Sequence, residues 1–422
     1  MAFITDNIKR YARNFSWLVL ANLATMGASF VLIILVARKL GQEQLGVYSS
    51  IMSLVFIFAY VADFGTSSVI TRELSRDKQS VSVYIRYSFG LSVVLALAAF
   101  GLTLFTGWLL GKTGDVLILL VMASFWMVSD SLPDVFVSAF RAFENMHLIT
   151  VMNLISKIVL VGGVGLLALG IWGFSLKGVF WVYVLSGLIG LFAAGYMAYR
   201  KFGRFRLSFS PLFTRNILKQ SYFIGLSGLC FAVYNRVDVL MLSTMQSDTA
   251  AGIYSACYGL FLLVSIIPSL ATSAVFPAFS RHYVTSRGKL RQDCVKGVQI
   301  LLLLAVVIVT AIYLLGGWLL GFLYGGGYDA AVPALRILML SIVFTFPASI
   351  LSTLLIISGK QGWYFVASLL MVIVNVVLNL ILIPAHSYMG ASIAMLATGA
   401  FNLAVLYVIV KKSIKWDEKA IV

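Results

Sequence analysis

Charge is what this sequence has least of. Only 11% of its 422 residues are Asp, Glu, Lys or Arg, against about 25% in an ordinary soluble domain, so water is not the solvent for most of the chain. Cysteine and histidine are scarcer still. Cys230, Cys257 and Cys294 have neither paired nor metal-ligand spacing, and His147, His282 and His386 are scattered; this pattern excludes a zinc or haem site and leaves the cysteines as packing residues. No cofactor is expected. No Walker-type lysine motif occurs, and Gly325-Gly326-Gly327 has no strand–helix unit around it to form a phosphate loop, which excludes ATP hydrolysis by this chain. Long polar segments are missing too. The longest stretch between apolar runs, Tyr199 to Gln220, is too short to bury a core of its own.

What the sequence has instead is apolar length. Hydrophobic residues make up 61% of it, gathered into runs of about 20 or more, enough to cross a hydrocarbon core of about 30 Å as helices. Lipid offers the backbone no hydrogen-bond partner, so such runs must be helical. Twelve spans are predicted near 15–37, 47–70, 87–110, 115–139, 149–170, 174–198, 221–244, 252–279, 297–324, 332–358, 363–384 and 388–410. The first follows Lys9, Arg10 and Arg13 and is read as a retained anchor, because it is longer than a signal-peptide core and more spans follow. With the N-terminus placed in the cytoplasm, 24 Lys and Arg fall on inner segments and 4 on outer loops. That bias puts both termini inside. Most of the net charge of +16 is therefore topology facing an anionic inner leaflet, and no basic domain exists to bind nucleic acid.

The chain also repeats. Gly46-Val47-Tyr48-Ser49-Ser50 opens the second span, and Gly252-Ile253-Tyr254-Ser255-Ala256 opens the eighth. Ser75-Arg76 and Ser280-Arg281 follow at nearly the same offset. Six helices separate the copies, an even number, so both halves share one orientation. The expected fold is all-α: two six-helix bundles, 1–206 and 207–422, related by a pseudo-two-fold along the membrane normal around a central cavity.

Several motifs then match a known pattern in order and spacing. They are Ala37-Arg38-Lys39-Leu40-Gly41, Leu45-Gly46-Val47-Tyr48, Asp63-Phe64-Gly65 and Thr71-Arg72-Glu73-Leu74-Ser75-Arg76, followed by Arg141-Ala142-Phe143-Glu144-Asn145-Met146 and Asn235-Arg236-Val237-Asp238. Together they resemble the Wzx-like polysaccharide flippases, in the superfamily that also holds the multidrug and toxin extruders. The resemblance covers the whole chain in topology and about a third of it in motif. It implies translocation of an undecaprenyl-pyrophosphate-linked oligosaccharide, such as an O-antigen unit, from the inner to the outer leaflet of the cytoplasmic membrane. It also implies a monomer working among membrane lipids, with a polysaccharide polymerase and a chain-length regulator as partners. Lipid II flippases of the same superfamily usually carry two further helices, which the twelve-span reading lacks.

Ionisable residues inside spans are costly and point to function. Asp63, Asp130, Asp134 and Lys157 fall in the first half; Asp130 and Asp134 are four apart with Pro133 between them, so they share a face that the proline kinks or opens. Three readings stand: a structural salt bridge to Lys157, carboxylates that bind H⁺ or Na⁺ and couple export to a gradient, or surface placement beyond the true span boundaries. In the second half, Arg236 and Asp238 point to different faces and Arg336 lies near the outer end of its span. Arginine suits pyrophosphate through its bidentate fork, and snorkelling to outer headgroups is the competing role. Asp238 joins the ion-coupling candidates. Arg38 and Lys39 end the first span, either as an interfacial anchor or as a meeting point for the pyrophosphate. Asn375 and Asn379 share a face and suit interhelical hydrogen bonding or sugar contact. Arg141 and Glu144, three apart at a helix end, suit a loop brace or an inner gate. A small-cation exporter of the same fold would want an acidic, aromatic cavity rather than this mixed set. A membrane glycan polymerase would need acid, base or metal-binding residues on a sizeable outer loop, and the outer loops are short and nearly uncharged.

Overall fold

The computed structural model of the chain describes residues 2–170, 173–204 and 208–414, with side chains for Trp17 and from Thr25 onward. The basic side chains of Lys9, Arg10, Arg13, Arg206, Lys415 and Lys419, which enter the orientation count, lie outside the described residues. Among the described residues every regular element is helical. In order they are α1 (Ala2–Asp63), α2 (Thr66–Arg76), a short 3-10 turn (Lys78–Ser80), α3 (Val81–Leu109), α4 (Gly114–Ser131), α5 (Asp134–Ala142), α6 (Met146–Ala168) and α7 (Leu176–Phe202). The second half continues with α8 (Pro211–Met245), α9 (Asp248–Val264), α10 (Ile266–Thr285), α11 (Arg287–Tyr324), α12 (Ala331–Leu340), α13 (Ile342–Ile357) and α14 (Gln361–Ser413).

Ten helices among the described residues are long and apolar enough to cross a membrane, against twelve spans read from the sequence. The difference lies in two long helices. α14 has 53 residues, about 80 Å at 1.5 Å per residue, more than twice a hydrocarbon core. It is not straight: Ser387 has φ +49, just after Pro384. A straight helix would hold residues eight apart at about 12 Å, yet a Cβ built on Gly390 stands 2.2 Å from the Leu382 carbonyl oxygen. The chain has turned back on itself there, and the Gln246 amide donates to the Ile383 carbonyl at 3.1 Å. α1 has 62 residues and breaks at Gly41, where φ is +82. Each of these helices is long enough for two crossings.

Shorter breaks fall inside the second and fourth predicted spans of each half. α1 passes to α2 through Phe64 and Gly65, both left-handed at φ +43 and +74, and α4 passes to α5 at Leu132-Pro133. α9 passes to α10 at Ser265, three residues before Pro268, and α12 to α13 at Ser341, six before Pro347. Prolines remove amide donors inside or near three of these spans, while the Phe64-Gly65 break has none nearby.

By contacts the chain forms two compact units, Met1–Leu40 with Ser50–Ala232, and Gly41–Ser49 with Val233–Val422. In the first, Phe136 and Phe140 of α5 are buried among Ile70, Leu74, Ile85 and Met152. Lipid gives no hydrophobic drive for helix to meet helix, so close packing has to hold the bundle. Small residues permit it: a Cβ on Gly187 would stand 2.9 Å from the Trp126 ring, and one on Gly190 2.3 Å from Ser156 Oγ. In the second unit Tyr254, Tyr324 and Phe346 are fully buried, and Tyr324 Oη donates to the Ala256 carbonyl at 3.0 Å. Outward faces are apolar, as lipid requires: Phe192 and Leu314 are 72% and 74% exposed.

Helix ends follow local chemistry. Ser175, Ser247 and Ser286 cap α7, α9 and α11 by accepting from Gly178, Ala250 and Lys289 amides. α13 ends in a Schellman turn, with Lys360 N donating to Leu355 O at 2.8 Å, Gly359 N to Ile356 O at 3.1 Å, and Gly359 at φ +71. Gly359 is exposed, so Gly359→Ala meets no neighbour and tests conformation alone. It is expected to cost about 1 kcal/mol, seen as a lowered melting temperature of the purified protein; an unchanged melt would rule the turn out as a stabilising element.

Candidate functional site

Two polar sites stand out, one in each unit. The first is a cavity of about 260 Å³ lined by α1, α4, α5, α6 and α7. Asp130, Asp134, Arg141 and Lys157 all line it, together with Asn153 and Ser156. Pro133 ends α4 one turn below Asp130 and starts α5 at Asp134, so the two carboxylates reach the cavity from two helices rather than from one continuous face. Among the described residues, neither carboxylate nor the Lys157 ammonium has an ion-pair or hydrogen-bond partner. The salt bridge to Lys157 that the sequence allows is not formed. These charges face open space that water fits, and ionisable groups in a membrane segment are costly enough to make the cavity a candidate site.

Asp63 does not line this cavity and is engaged at the break between α1 and α2. Its carboxylate accepts from Gly65 N at 3.2 Å, from Ser67 N at 3.1 Å and from Ser67 Oγ. It caps α2 after the left-handed Phe64-Gly65 pair, satisfying amides that the break leaves orphaned. Arg141 reaches the cavity, while Glu144 sits past it at φ +58, ending α5 in the same turn that Gly359 makes for α13: Glu144 N donates to Arg141 O at 3.0 Å and Asn145 N to Phe140 O at 2.8 Å. Arg38 and Lys39 are exposed on the turn of α1 that precedes the Gly41 break.

The second site is a closed network. Asp238 on α8 is 2% exposed. Its carboxylate accepts from Tyr254 Oη of α9 at 2.8 Å and from Asn379 Nδ2 of α14 at 2.6 Å. Asn379 Nδ2 also donates to Asn375 Oδ1 at 3.1 Å, and both asparagines are fully buried. Asn375 Nδ2 and Asn379 Oδ1 have no partner among the described residues. The asparagines therefore belong with the buried carboxylate and not with the arginines. Arg236, on another face of α8, lies over the Tyr258 ring at 6.0 Å, and Tyr258 Oη donates to Asn235 at 3.1 Å. Arg336 is held on α11, donating to the Tyr313 carbonyl at 2.9 Å with its guanidinium 4.4 Å from the Tyr313 ring.

Sequence reasoning missed Tyr254 as the donor to Asp238, although Tyr254 sits in the repeated Gly-Ile-Tyr-Ser motif. It also missed Asn153 and Ser156, polar residues at i and i+3 on α6 with Lys157 beside them, which was the available signal.

The family is decided by the length over which it matches. Residues 11–283 match the model for "Polysaccharide biosynthesis protein", and residues 158–422 match the model for "Lipid II flippase MurJ". The chain belongs to the polysaccharide biosynthesis protein family. It is also 23% identical, over 93% of this chain and 81% of the relative, to a probable low-salt glycan biosynthesis flippase, Agl15, of Haloferax volcanii. Two solved structures share the fold of this family member at TM-score 0.72 and 16% identity. One is an inward-facing multidrug resistance MATE transporter of the MOP superfamily, covering 95% of this chain and 100% of its own. The other is the lipid II flippase MurJ in an inward closed conformation, covering 93% and 87%. The family and the fold make this polysaccharide biosynthesis protein a multi-pass membrane transporter of the flippase kind and not an enzyme.

Proposed function

We propose that the protein flips an undecaprenyl-pyrophosphate-linked oligosaccharide, an O-antigen or similar surface-polysaccharide unit, from the inner to the outer leaflet of the cytoplasmic membrane by alternating access. The reading is carried by the family match along both halves, which joins a polysaccharide-biosynthesis model to a lipid II flippase model in one chain. In it the chain acts as two six-helix bundles, 1–206 and 207–422, with both termini in the cytoplasm, as the excess of basic residues on inner segments supports. The functional unit is the monomer, and a polymerase with its chain-length regulator consumes the product. Arg236 and Arg336, with Arg38 and Lys39 at the outer end of the first span, supply cations for the pyrophosphate.

Ion coupling has two seats in this reading. The unpaired Asp130 and Asp134 supply exchangeable proton or cation sites in the first unit, with Arg141 and Lys157 as competing cations in the same cavity. Asp238 supplies the other, where the unpartnered Asn379 Oδ1 lies in the same buried network as the carboxylate. Arg141 and Glu144 hold the inner end of α5.

The test is rescue of surface glycan in a strain lacking its own flippase and making a matched donor glycan, at equal expression. Wild type is expected to restore the glycan. Arg236→Ala is expected to lower it at least about tenfold, since one charge-assisted contact is worth roughly 1.5–3 kcal/mol. Asp134→Asn is expected to remove any dependence on the ion gradient. Asp63→Asn keeps one acceptor for the Ser67 amide and loses the other, which takes the Gly65 amide at 3.2 Å, so a loss there reports charge and cap together. Failure of wild type with the matched glycan, combined with resistance to cationic drugs, would overturn the reading in favour of a small-cation exporter.

A further inference from the structure

The second unit carries a groove of about 910 Å³, apart from both polar sites. α11 lines it from Arg291 to Leu302, α13 from Val343 to Leu354, and α14 from Ala400 to Lys411. Each stretch advances by eleven residues, about 16 Å at 1.5 Å per residue, which is half of a hydrocarbon core of about 30 Å. The groove is one leaflet deep. On α11 the lining positions are 291, 294, 295, 298, 299 and 302, a single stripe at helical spacing. On α14 they are 400, 403, 404, 407, 410 and 411, a second such stripe.

The walls are apolar along most of this length, and the charge sits at the helix ends. Arg291 opens the α11 stripe four residues after the helix starts, and Lys411 closes the α14 stripe two residues before the helix stops. Both side chains are exposed, and among the described residues neither has a carboxylate partner. These are the helix ends that the basic-residue count assigns to the cytoplasmic side. An apolar trough of leaflet depth with two free cations at its headgroup end matches one kind of molecule: a lipid with an anionic head. Bulk lipid would fill the trough but gives no reason for the cations. A partner helix would leave both of them over apolar surface.

We propose that this groove is a binding site for an anionic phospholipid of the cytoplasmic leaflet, with its phosphate between Arg291 and Lys411 and its acyl chains along the three stripes. The site stands whatever glycan the protein carries, and it depends only on the orientation.

The test uses delipidated full-length protein in detergent, titrated with palmitoyl-oleoyl phosphatidylglycerol or with phosphatidylcholine of the same chains, and bound lipid counted by native mass spectrometry. One phosphatidylglycerol is expected to be retained in preference to phosphatidylcholine. The pair Arg291→Gln and Lys411→Gln is expected to weaken phosphatidylglycerol about 25-fold, roughly fivefold per cation near an anionic surface, and to leave phosphatidylcholine unchanged. Ala404→Trp, which fills the trough from α14, is expected to weaken both. Equal binding of the two lipids by the wild type overturns the proposal without any variant. Retained selectivity in the glutamine pair overturns the placement of the phosphate. Displacement of phosphatidylglycerol by an equal concentration of undecaprenyl phosphate reassigns the groove to the transported lipid. A dimer peak that Ala404→Trp abolishes reassigns it to a second copy.

Discussion

Gly46→Ala and Gly252→Ala are expected to be the most damaging single-methyl changes in the chain. A Cβ built on Gly46 stands 1.7 Å from the Asp248 carbonyl oxygen, and one built on Gly252 stands 1.9 Å from the Gln42 carbonyl oxygen. Neither clash can be relieved by a rotamer change, because the obstructing atoms are backbone. Overpacking in a close-packed interior costs about 1–3 kcal/mol when side chains can yield, and here two helices must separate. We expect a loss at or above the upper end of that range, read as the monodisperse fraction of purified protein and its melting temperature. Gly101 is the control: it is helical and a Cβ there meets nothing within 4 Å. Gly101→Ala should be neutral or slightly stabilising. Folded, heat-stable Gly46→Ala protein would show that the two helices do not pack this way.

The second large effect concerns the buried carboxylate. Asn379→Leu removes the 2.6 Å donor to Asp238 and leaves a charge that water does not reach. Breaking one partner of a buried charged group costs about 3–5 kcal/mol, mostly as the penalty on the group left behind. The double change Asp238→Leu with Asn379→Leu removes that group as well, so it is expected to cost less than the sum of the two single changes by about 1 kcal/mol or more. A double-mutant cycle on thermal or denaturant stability measures this. Strict additivity would mean that Asp238 and Asn379 do not act as a pair in solution. Tyr254→Phe, which removes the other donor, should resemble a mild Asn379→Leu, because a hydroxyl donor to a charged group is worth roughly 1.5–3 kcal/mol.

Much of this architecture could be read from apolar length alone, since a run of about 20 apolar residues has few alternatives to a spanning helix. Pro133 announced the break in the fourth span, because a proline inside a helix removes a donor and displaces the preceding turn. The break at Ser387 carried a weaker signal, a nearby Pro384 but no glycine at the residue that takes φ +49. Asn375 and Asn379 could be placed on one face from their spacing, but Asp238, 141 residues from Asn379, could not be joined to them, because periodicity says nothing about which helix lies opposite. Arg141 and Glu144 read from their spacing as a loop brace or an inner gate; that Arg141 also lines the cavity was not legible, because it depends on α5 starting afresh after Pro133. Asp63 read as a membrane charge, and its capping of α2 depends on two left-handed residues that composition does not reveal.

The contact at Gly46 and Gly252 is reciprocal in detail. Each glycine faces the carbonyl of the residue four positions before the other, Asp248 before Gly252 and Gln42 before Gly46. Both glycines lie within one compact unit, where Gly41–Ser49 packs with Val233–Val422, so the pair clamps a short piece of α1 backbone to backbone onto α9. Each glycine is the clearance of the other: a side chain at either one displaces the same two backbones, and a second substitution is expected to add less than the first.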